Sequence, residues 1–293
     1  MYHAMGQSIF CVSAPLQEIP IYIMAKFDFF KMLEYVQRYK ITGLALVPPV
    51  VVAIAKRPEV RRFDLSSVER IASGAAPLGR EICAEVEKLW KDMGWGPLEG
   101  VNVKQGWGMT EITCTALSWH PEEHSESFSV GELVPNSMAK IMAEDETHEV
   151  PRGERGEIWI KAPNVMKGYW RKPEATRETL TEDGWLKTGD IAYVDERGRF
   201  YIVDRKKELI KVKGNQVAPA ELEALLYEHP AVADAAVIGV PYNGDEAPRA
   251  YIVLAEGKKA TEEDINQWFE KRVTRTKRLT GGIKFVKSIP KNP

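Results

Sequence analysis

Cysteine is scarce in this 293-residue chain: Cys11, Cys83 and Cys114 stand far apart, with no paired spacing. That excludes a disulfide framework and a zinc-ligand pattern, and it points to a reducing, intracellular setting. Charge of one sign is lacking as well. Forty basic residues face 42 acidic ones, a net charge of −2, which argues against a nucleic-acid partner. No apolar run approaches the roughly 18–20 residues of a membrane span. The longest, residues 44–55, contains Pro48 and Pro49. The opening Met1-Tyr2-His3-Ala4-Met5 has neither the basic start nor the apolar stretch of a signal peptide. Internal repeats and low-complexity tracts are missing too. What remains is the composition of an ordinary globular protein, 44% hydrophobic and 28% charged. At about 150 residues per domain, the length predicts two domains.

Patterning along the chain divides it further. Residues 27–39 carry Phe29, Phe30, Leu33, Tyr35 and Val36 at helical spacing. Residues 41–47 form a short apolar run, read as a buried strand stopped by Pro48. Residues 68–72 and 101–105 read as further strands, and Leu78, Ile82, Val86, Leu89 and Met93 mark a helix between them. Strand, small-residue turn, helix, strand is the order of an α/β sheet. From about Ser129, short strands at 139–142, 157–161, 190–194 and 200–203 alternate with Gly, Pro and Asp clusters, which predicts a small antiparallel β unit. A turn or two of helix is expected at 173–180. Residues 205–293 hold 16 basic and 12 acidic side chains, against 24 and 30 in residues 1–204. Strands are expected there at 209–212, 232–240 and 251–254. Helices are expected at 219–227, opened by Pro219, and at 261–273, opened by Thr261 and Asp264 in near capping-box spacing. The expected organisation is a large domain over 1–204, α/β in 1–125 and β-rich in 126–204. A small α+β domain over 205–293 follows, with a hinge near 204–208.

Four turns are candidates for chemistry. The strand ending at Gln105 runs into Gly106-Trp107-Gly108-Met109-Thr110-Glu111. Its glycines let a backbone approach a ligand, Thr110 offers a hydroxyl to phosphate, and Glu111 offers a hard oxygen to Mg²⁺. The same stretch also reads as a plain Gly-x-Gly turn with a helix-capping Thr. Ser73-Gly74-Ala75-Ala76-Pro77 presents a shallow wall to a flat heterocycle, or simply makes a tight connection. Asp190, in Trp185-Leu186-Lys187-Thr188-Gly189-Asp190, can accept from ribose hydroxyls or just form a turn. Residues 204–216 carry Arg205, Lys206, Lys207, Lys211 and Lys213, either a solvated face or a phosphate-facing one.

Together, in this order and at these separations, the motifs resemble the adenylate-forming superfamily, and most of all its 4-coumarate–CoA ligase branch. Residues 2–6 (YHAMG) resemble the aromatic/His motif, 73–79 (SGAAPLG) the adenine wall, and 105–111 (QGWGMTE) the nucleotide and magnesium motif. Gly153–Glu157 and Gly168-Tyr169-Trp170 match the β-unit motifs. Residues 185–190 (WLKTGD) and 204–219 (DRKKELIKVKGNQVAP) resemble the ribose and hinge motifs. The fold this implies is a partial adenylate-forming large domain, α/β sheet plus antiparallel β unit, followed by a small α+β domain. The implied activity is acyl-CoA synthesis in two steps. A carboxylic acid attacks the α-phosphate of ATP, pyrophosphate leaves, and the acyl-adenylate is captured by the thiol of coenzyme A.

The same resemblance assigns the residues. Thr110 would hold the α-phosphate and Glu111 the Mg²⁺. Gly74, Ala75, Ala76, Gln105, Gly106, Trp107 and Gly108 would surround AMP, while Asp190 and Arg205 would hold its ribose. Lys207 would be the hinge, Lys211 and Gln216 would act in the orientation of the second step, and Gly214 would line the thiol's approach. The acyl pocket, for an aromatic or medium-chain acid, would include His3, Gly74, Thr113, Cys114 and Thr115. Trp107 stands where the family more often has Tyr, which keeps the stacking face and drops a phenol hydroxyl.

Two family parts lie outside this sequence: a phosphate loop before the His motif, and a Lys beyond the terminal Ile289-Pro290-Lys291-Asn292-Pro293. Lys291 belongs to the preceding Pro-Lys and is not that catalytic Lys. Both ends are therefore expected to fall inside a longer protein. The isolated chain is expected to keep adenylate contacts but to adenylate very slowly or not at all, since losing one preorganised donor costs about 10²–10³ in rate. Apolar surface is expected to need an oligomer or partner fragment to cover it. Loading of a carrier protein and a non-catalytic AMP-binding remnant are the competing readings, and cytoplasm and peroxisome both remain open as locations.

Overall fold

The computed structural model describes residues 2–125 and 128–290; Met1 and Lys291, both used above, lie outside the described residues. The chain starts with a wide π-type helix, Gly6–Ser13, continuing into α1 (Ala14–Leu16). Leu16, Ile19, Ile23 and Phe27 around it are exposed.

Asp28 caps α2 (Phe29–Tyr39) by accepting from the Lys31 amide at 2.8 Å, and Lys40 ends the helix in the left-handed region. Strands β1 (Gly43–Leu46), β2 (Arg70–Ser73) and β3 (Val103–Gln105) pair in parallel, in that order. Where the sequence pattern predicts only a stop at Pro48, the chain forms α3 (Pro48–Lys56). Here the proline pair opens a helix, because the first turn has no amide bonds to lose. Helix α4 (Arg80–Met93) buries Ile82, Val86, Leu89 and Trp90 and ends at left-handed Gly94. Its core is shared with Leu33, Val36, Val51, Ile54, Ile71 and Val103.

Next comes a short antiparallel pair, β4 (Leu117–Ser118) with β5 (Glu132–Leu133). The four-stranded antiparallel sheet follows in chain order: β6 (Met138–Met142), β7 (Gly156–Lys161), β8 (Leu186–Val194) and β9 (Phe200–Arg205). Helix α5 (Pro173–Thr179) lies in the β7–β8 connection. Ile112, Leu117, Ile158, Ile160, Leu186 and Ala192 make this second core.

The last core gathers Val217, Leu222, Leu226, Val232, Ile252, Ile265 and Phe269. Around it stand the hairpin β10 (Ile210–Val212) with β11 (Asn215–Val217) and helix α6 (Pro219–Glu228). Strands β12 (Val232–Tyr242) and β13 (Asp245–Leu254) are followed by α7 (Glu262–Glu270) and β14 (Ile283–Phe285), the last parallel to β13. Thr261 and Asp264 complete the capping box on α7. The β12–β13 hairpin is longer than the apolar runs suggested. Asn243 and Gly244 both have positive φ, 49° and 81°, so the strands run up to a two-residue turn of the primed type. A large domain followed by a small one, with mixed α/β content, is the architecture. Among the described residues no helix is long and apolar enough to cross a membrane.

One half-buried acid makes the small domain sensitive to pH. Glu223 on α6 accepts from the Val237 amide at 2.8 Å. Burial, with Asp204, Glu208 and Asp234 nearby, pushes its carboxyl up to about 7. The folded protein therefore holds this proton more tightly than the unfolded chain does. Stability from this group is fully present below the ordinary carboxylate range and is lost as pH rises through about 7. Glu223→Gln keeps the acceptor oxygen and removes the titration. Its thermal midpoint should match the parent at pH 5 and exceed it by roughly 2–5 °C at pH 8, measured by scanning fluorimetry. Equal midpoints at both pH values would contradict this.

Candidate nucleotide site

The three parallel strands end side by side. The Gly74 amide donates to the Leu46 carbonyl at 3.2 Å and the Gly106 amide to the Ser73 carbonyl at 3.1 Å. Buried Gln105 ties the two following turns together: its amide group donates to the Leu78 carbonyl at 3.0 Å and accepts from the Leu78 amide at 2.8 Å. Ala75, Ala76 and Pro77 are left exposed as a small apolar wall. Ala75 is held at φ 75°, an unusual state for a residue with a Cβ.

Beyond Gly106 the chain folds back on itself. Trp107 exchanges both backbone hydrogen bonds with Leu117, each at 3.0 Å. A Cβ on Gly108 would stand 1.4 Å from the Cys114 carbonyl oxygen, so only glycine lets the two segments approach this closely. Thr113 and Cys114 are both left-handed, at φ 53° and 91°. Backbone strain thus gathers at the turns the sequence singled out.

The Trp107 indole N–H donates to Asp190 Oδ2 at 2.8 Å, joining two motifs 83 residues apart. Asp190 lies opposite Arg205 in the β8–β9 register, with the guanidinium Nε 3.8 Å from Oδ1. Burial raises the Asp190 carboxyl above its usual range, against the pull of the Trp107 N–H and Arg205. Arg205 itself is largely exposed. Trp107 lacks the phenol hydroxyl of the more usual Tyr, but its indole supplies a donor.

Glu111 is anchored from the other side. The Tyr169 hydroxyl donates to Glu111 Oε1 at 2.8 Å, and the Met166 amide donates to the Glu111 carbonyl at 2.7 Å. Burial, followed by Glu111, pushes the Tyr169 hydroxyl upward in pKa. Asn164 donates to the Ile112 carbonyl at 2.6 Å and accepts from Thr113 Oγ1 at 2.9 Å. The sequence marks Tyr169 only as part of a motif and gives no signal for Asn164; both pairings are long-range. Thr110 opens the short turn Thr110–Ile112 and is exposed. Among the described residues no group of three or more His, Cys, Asp or Glu side chains could hold a metal ion. A lone Glu111 carboxylate fits Mg²⁺ that takes its other ligands from phosphate and water.

The remaining candidates lie elsewhere. Ser8 Oγ donates to the Thr113 carbonyl at 3.3 Å, which sets the N-terminal helix against the 113–115 stretch. The exposed His3 ring accepts from the Met5 amide at 3.2 Å, and Thr115 Oγ1 lies 3.4 Å from Cys114 Sγ. Lys211 and Gln216 face each other across the β10–β11 hairpin, whose tip holds exposed Gly214 at φ 77°. Hydrogen bonds from the hairpin to other segments go to Glu246, Asp245 and Glu144, and among the described residues none is shown to Trp107 or Asp190. Lys207 is exposed. The neighbouring Lys206 is fastened to the sheet: its amide donates to the Gly189 carbonyl at 2.7 Å and its ammonium to Glu157 at 2.9 Å. Glu157, buried in β7, also accepts from the Gly189 amide at 3.0 Å.

A model of the AMP-binding enzyme family matches residues 1–170, and one of the AMP-binding enzyme C-terminal domain matches residues 221–293. Probable 4-coumarate–CoA ligase 1 of Dictyostelium discoideum is 44% identical over 295 residues, covering 99% of this chain and 52% of the relative. 4-Coumarate–CoA ligase 1 of Petroselinum crispum is 44% identical over 281 residues, covering 94% and 50%. This chain spans about half the length of the curated relatives it matches. Among solved structures, ATP-bound MatB from Rhodopseudomonas palustris superposes with a TM-score of 0.83 at 29% identity, covering 99% of this chain and 56% of that one. The anthranilate CoA ligase AuaEII in complex with anthranoyl-AMP gives 0.79 at 28% identity, covering 90% and 49%.

Proposed function

The chain belongs to the AMP-binding enzyme family, and from that premise we propose that it is the adenylate-holding part of an acyl-CoA synthetase for an aromatic or medium-chain carboxylic acid. The reaction read here joins the acid to the α-phosphate of ATP with loss of pyrophosphate, then passes the acyl group to the thiol of coenzyme A. The observation that carries this reading is the Trp107–Asp190 hydrogen bond beside Arg205, which sets an aromatic face next to a carboxylate suited to ribose hydroxyls. Adenine lies between Trp107 and the wall of Gly74, Ala75 and Ala76, and Gly106 and Gly108 allow close backbone approach. Gln105 acts from beneath by holding both turns in place.

Thr110 meets the α-phosphate, and Glu111, oriented by Tyr169, contributes one oxygen to Mg²⁺. Bound Mg²⁺ supplies charge neutralisation at the phosphates. Residues 113–115 border the acyl group, with His3 between it and the thiol's approach. Lys207 takes up the hinge rotation. The β10–β11 tip with Lys211, Gly214 and Gln216 serves the thiol step after that rotation; a Cβ at Gly214 would meet nothing within 4 Å. The reading includes an intracellular location, cytoplasm or peroxisome. It also includes covering of the exposed Leu16, Ile19, Ile23 and Phe27 by a second copy or companion segment.

Titration calorimetry of the 293-residue chain tests the site. AMP should bind, and a non-hydrolysable aroyl-adenylate mimic should bind at least tenfold more tightly, since it adds acyl contacts to the nucleotide contacts. Absence of binding by both would sink the reading. Equal affinities would remove its acyl pocket.

A further inference from the structure

Helix α6 packs against β9 and α4 of the large domain, and both of its ends are satisfied by charged side chains from outside the small domain's core. At the amino end, Asp204, on the hinge strand β9, accepts from the Ala220 amide at 2.9 Å through Oδ2. At the carboxyl end, Lys56, the last residue of α3, donates to the Tyr227 carbonyl, to the His229 carbonyl at 3.1 Å and to the Val232 carbonyl at 3.3 Å. An ammonium has three N–H donors, and all three are spent on the small domain. The arrangement also has the right sign, with a carboxylate at the positive end of the helix and a cation at the negative end.

Packing surrounds this contact. Tyr227 rests against the large-domain core, and a Cβ on Gly79, just before α4, would meet the Ala224 carbonyl at 3.7 Å. Burial lowers the Lys56 ammonium in pKa, while Glu85 and Glu228 hold it up.

We propose that Lys56 is a positioning residue, an interdomain latch that holds the small domain in this orientation by tying the carboxyl end of α6 to the end of α3. The three carbonyls belong to residues within six positions of one another, so a single rotation of the small domain releases all of them together. The Asp204 contact, lying at the hinge itself, moves little in such a rotation. Lys56, with three carbonyl partners against the one 3.4 Å bond from Gln216 to Glu144, is therefore a contact that distinguishes one orientation from another. The inference rests on the rotation about the hinge proposed above, and not on which acid or thiol the site serves.

Distance measurements between spin labels test it, with labels at exposed Lys88→Cys on α4 and Lys258→Cys in the small domain, and with Cys11→Ser and Cys114→Ser to remove competing thiols. The parent should give one narrow distance. Lys56→Met, similar in length and without donors, should move at least a third of the molecules to a second, broader population. Lys56→Arg, which can still donate to several carbonyls, should restore most of the narrow one. Hydrogen exchange of β12 and β13 should be the same in all three. A Lys56→Met distribution that overlays the parent overturns the proposal. So does loss of β12–β13 protection, which would make Lys56 a folding contact of the small domain rather than a latch.

Discussion

Gly108→Ala is expected to lower the thermal midpoint by roughly 5–10 °C and to abolish measurable AMP binding. The added methyl would lie 1.4 Å from the Cys114 carbonyl oxygen, 2.4 Å from its carbon and 2.7 Å from Thr115 Cα. All three are backbone atoms, so no side chain can swing away. Relief requires the 109–116 loop to lift. That movement breaks the paired 3.0 Å bonds between Trp107 and Leu117 and the 3.1 Å bond from the Cys114 amide to the Met109 carbonyl. Overpacking that side chains can absorb costs about 1–3 kcal/mol, and a backbone collision exceeds that. At about 2–4 °C per kcal/mol for a chain of this size, the stated drop follows.

Two neighbours grade the effect. A Cβ on Gly106 meets the Leu117 carbonyl at 3.2 Å, and one on Gly74 meets only the Gly106 carbonyl at 3.7 Å. Scanning fluorimetry should rank Gly74→Ala nearest the parent, Gly106→Ala between, and Gly108→Ala lowest. Three equal midpoints would mean that the fold-back at Gly108 is not a constraint.

Local periodicity made much of this fold legible. The apolar spacing of α2 and α4 and the short β6–β9 runs between turn residues are properties of contiguous residues, and so is the Thr261–Asp264 cap. Helix α3 was lost because proline signals a stop to a strand and a start to a helix, and only the packing of Val51 and Ile54 decides between them. The β12–β13 turn was readable in principle, since Asn243-Gly244 is a strong hairpin signal, but Pro241 and Pro248 interrupt the apolar alternation around it.

For the site, motif order located the turns, whereas the bonds between them are long-range. Nothing near Trp107 specifies that its indole meets Asp190, nothing near Glu111 points to Tyr169, and Lys206 differs from Lys207 only in the direction its side chain leaves the strand end. Lys56 could not be singled out at all. In sequence it is one cation after an apolar run, and its partners are carbonyls, which every residue has.

Asp190→Asn is the second large expected effect: AMP affinity reduced about 10- to 100-fold, with the thermal midpoint within about 2 °C of the parent. The side chain keeps its shape and one acceptor oxygen for the Trp107 N–H, so the fold loses little. On the proposed reading the nucleotide loses a charged acceptor for its ribose. A hydrogen bond to a charged group contributes about 1.5–3 kcal/mol, which is the stated range. Because burial raises the Asp190 carboxyl, AMP binding by the parent should weaken as pH falls through the acidic range, and Asp190→Asn should be flat there.

Trp107→Phe separates the two contributions. It removes the donor that favours the ionised carboxylate, so the acidic decline should shift to higher pH while a stacking face is retained. If Asp190→Asn and Trp107→Phe instead share one pH profile with the parent, the carboxylate is not the group that meets the ribose. In that case the Trp107–Asp190 pair is a strut of the β8 edge, and the nucleotide must be held from the Gly74–Ala76 side alone.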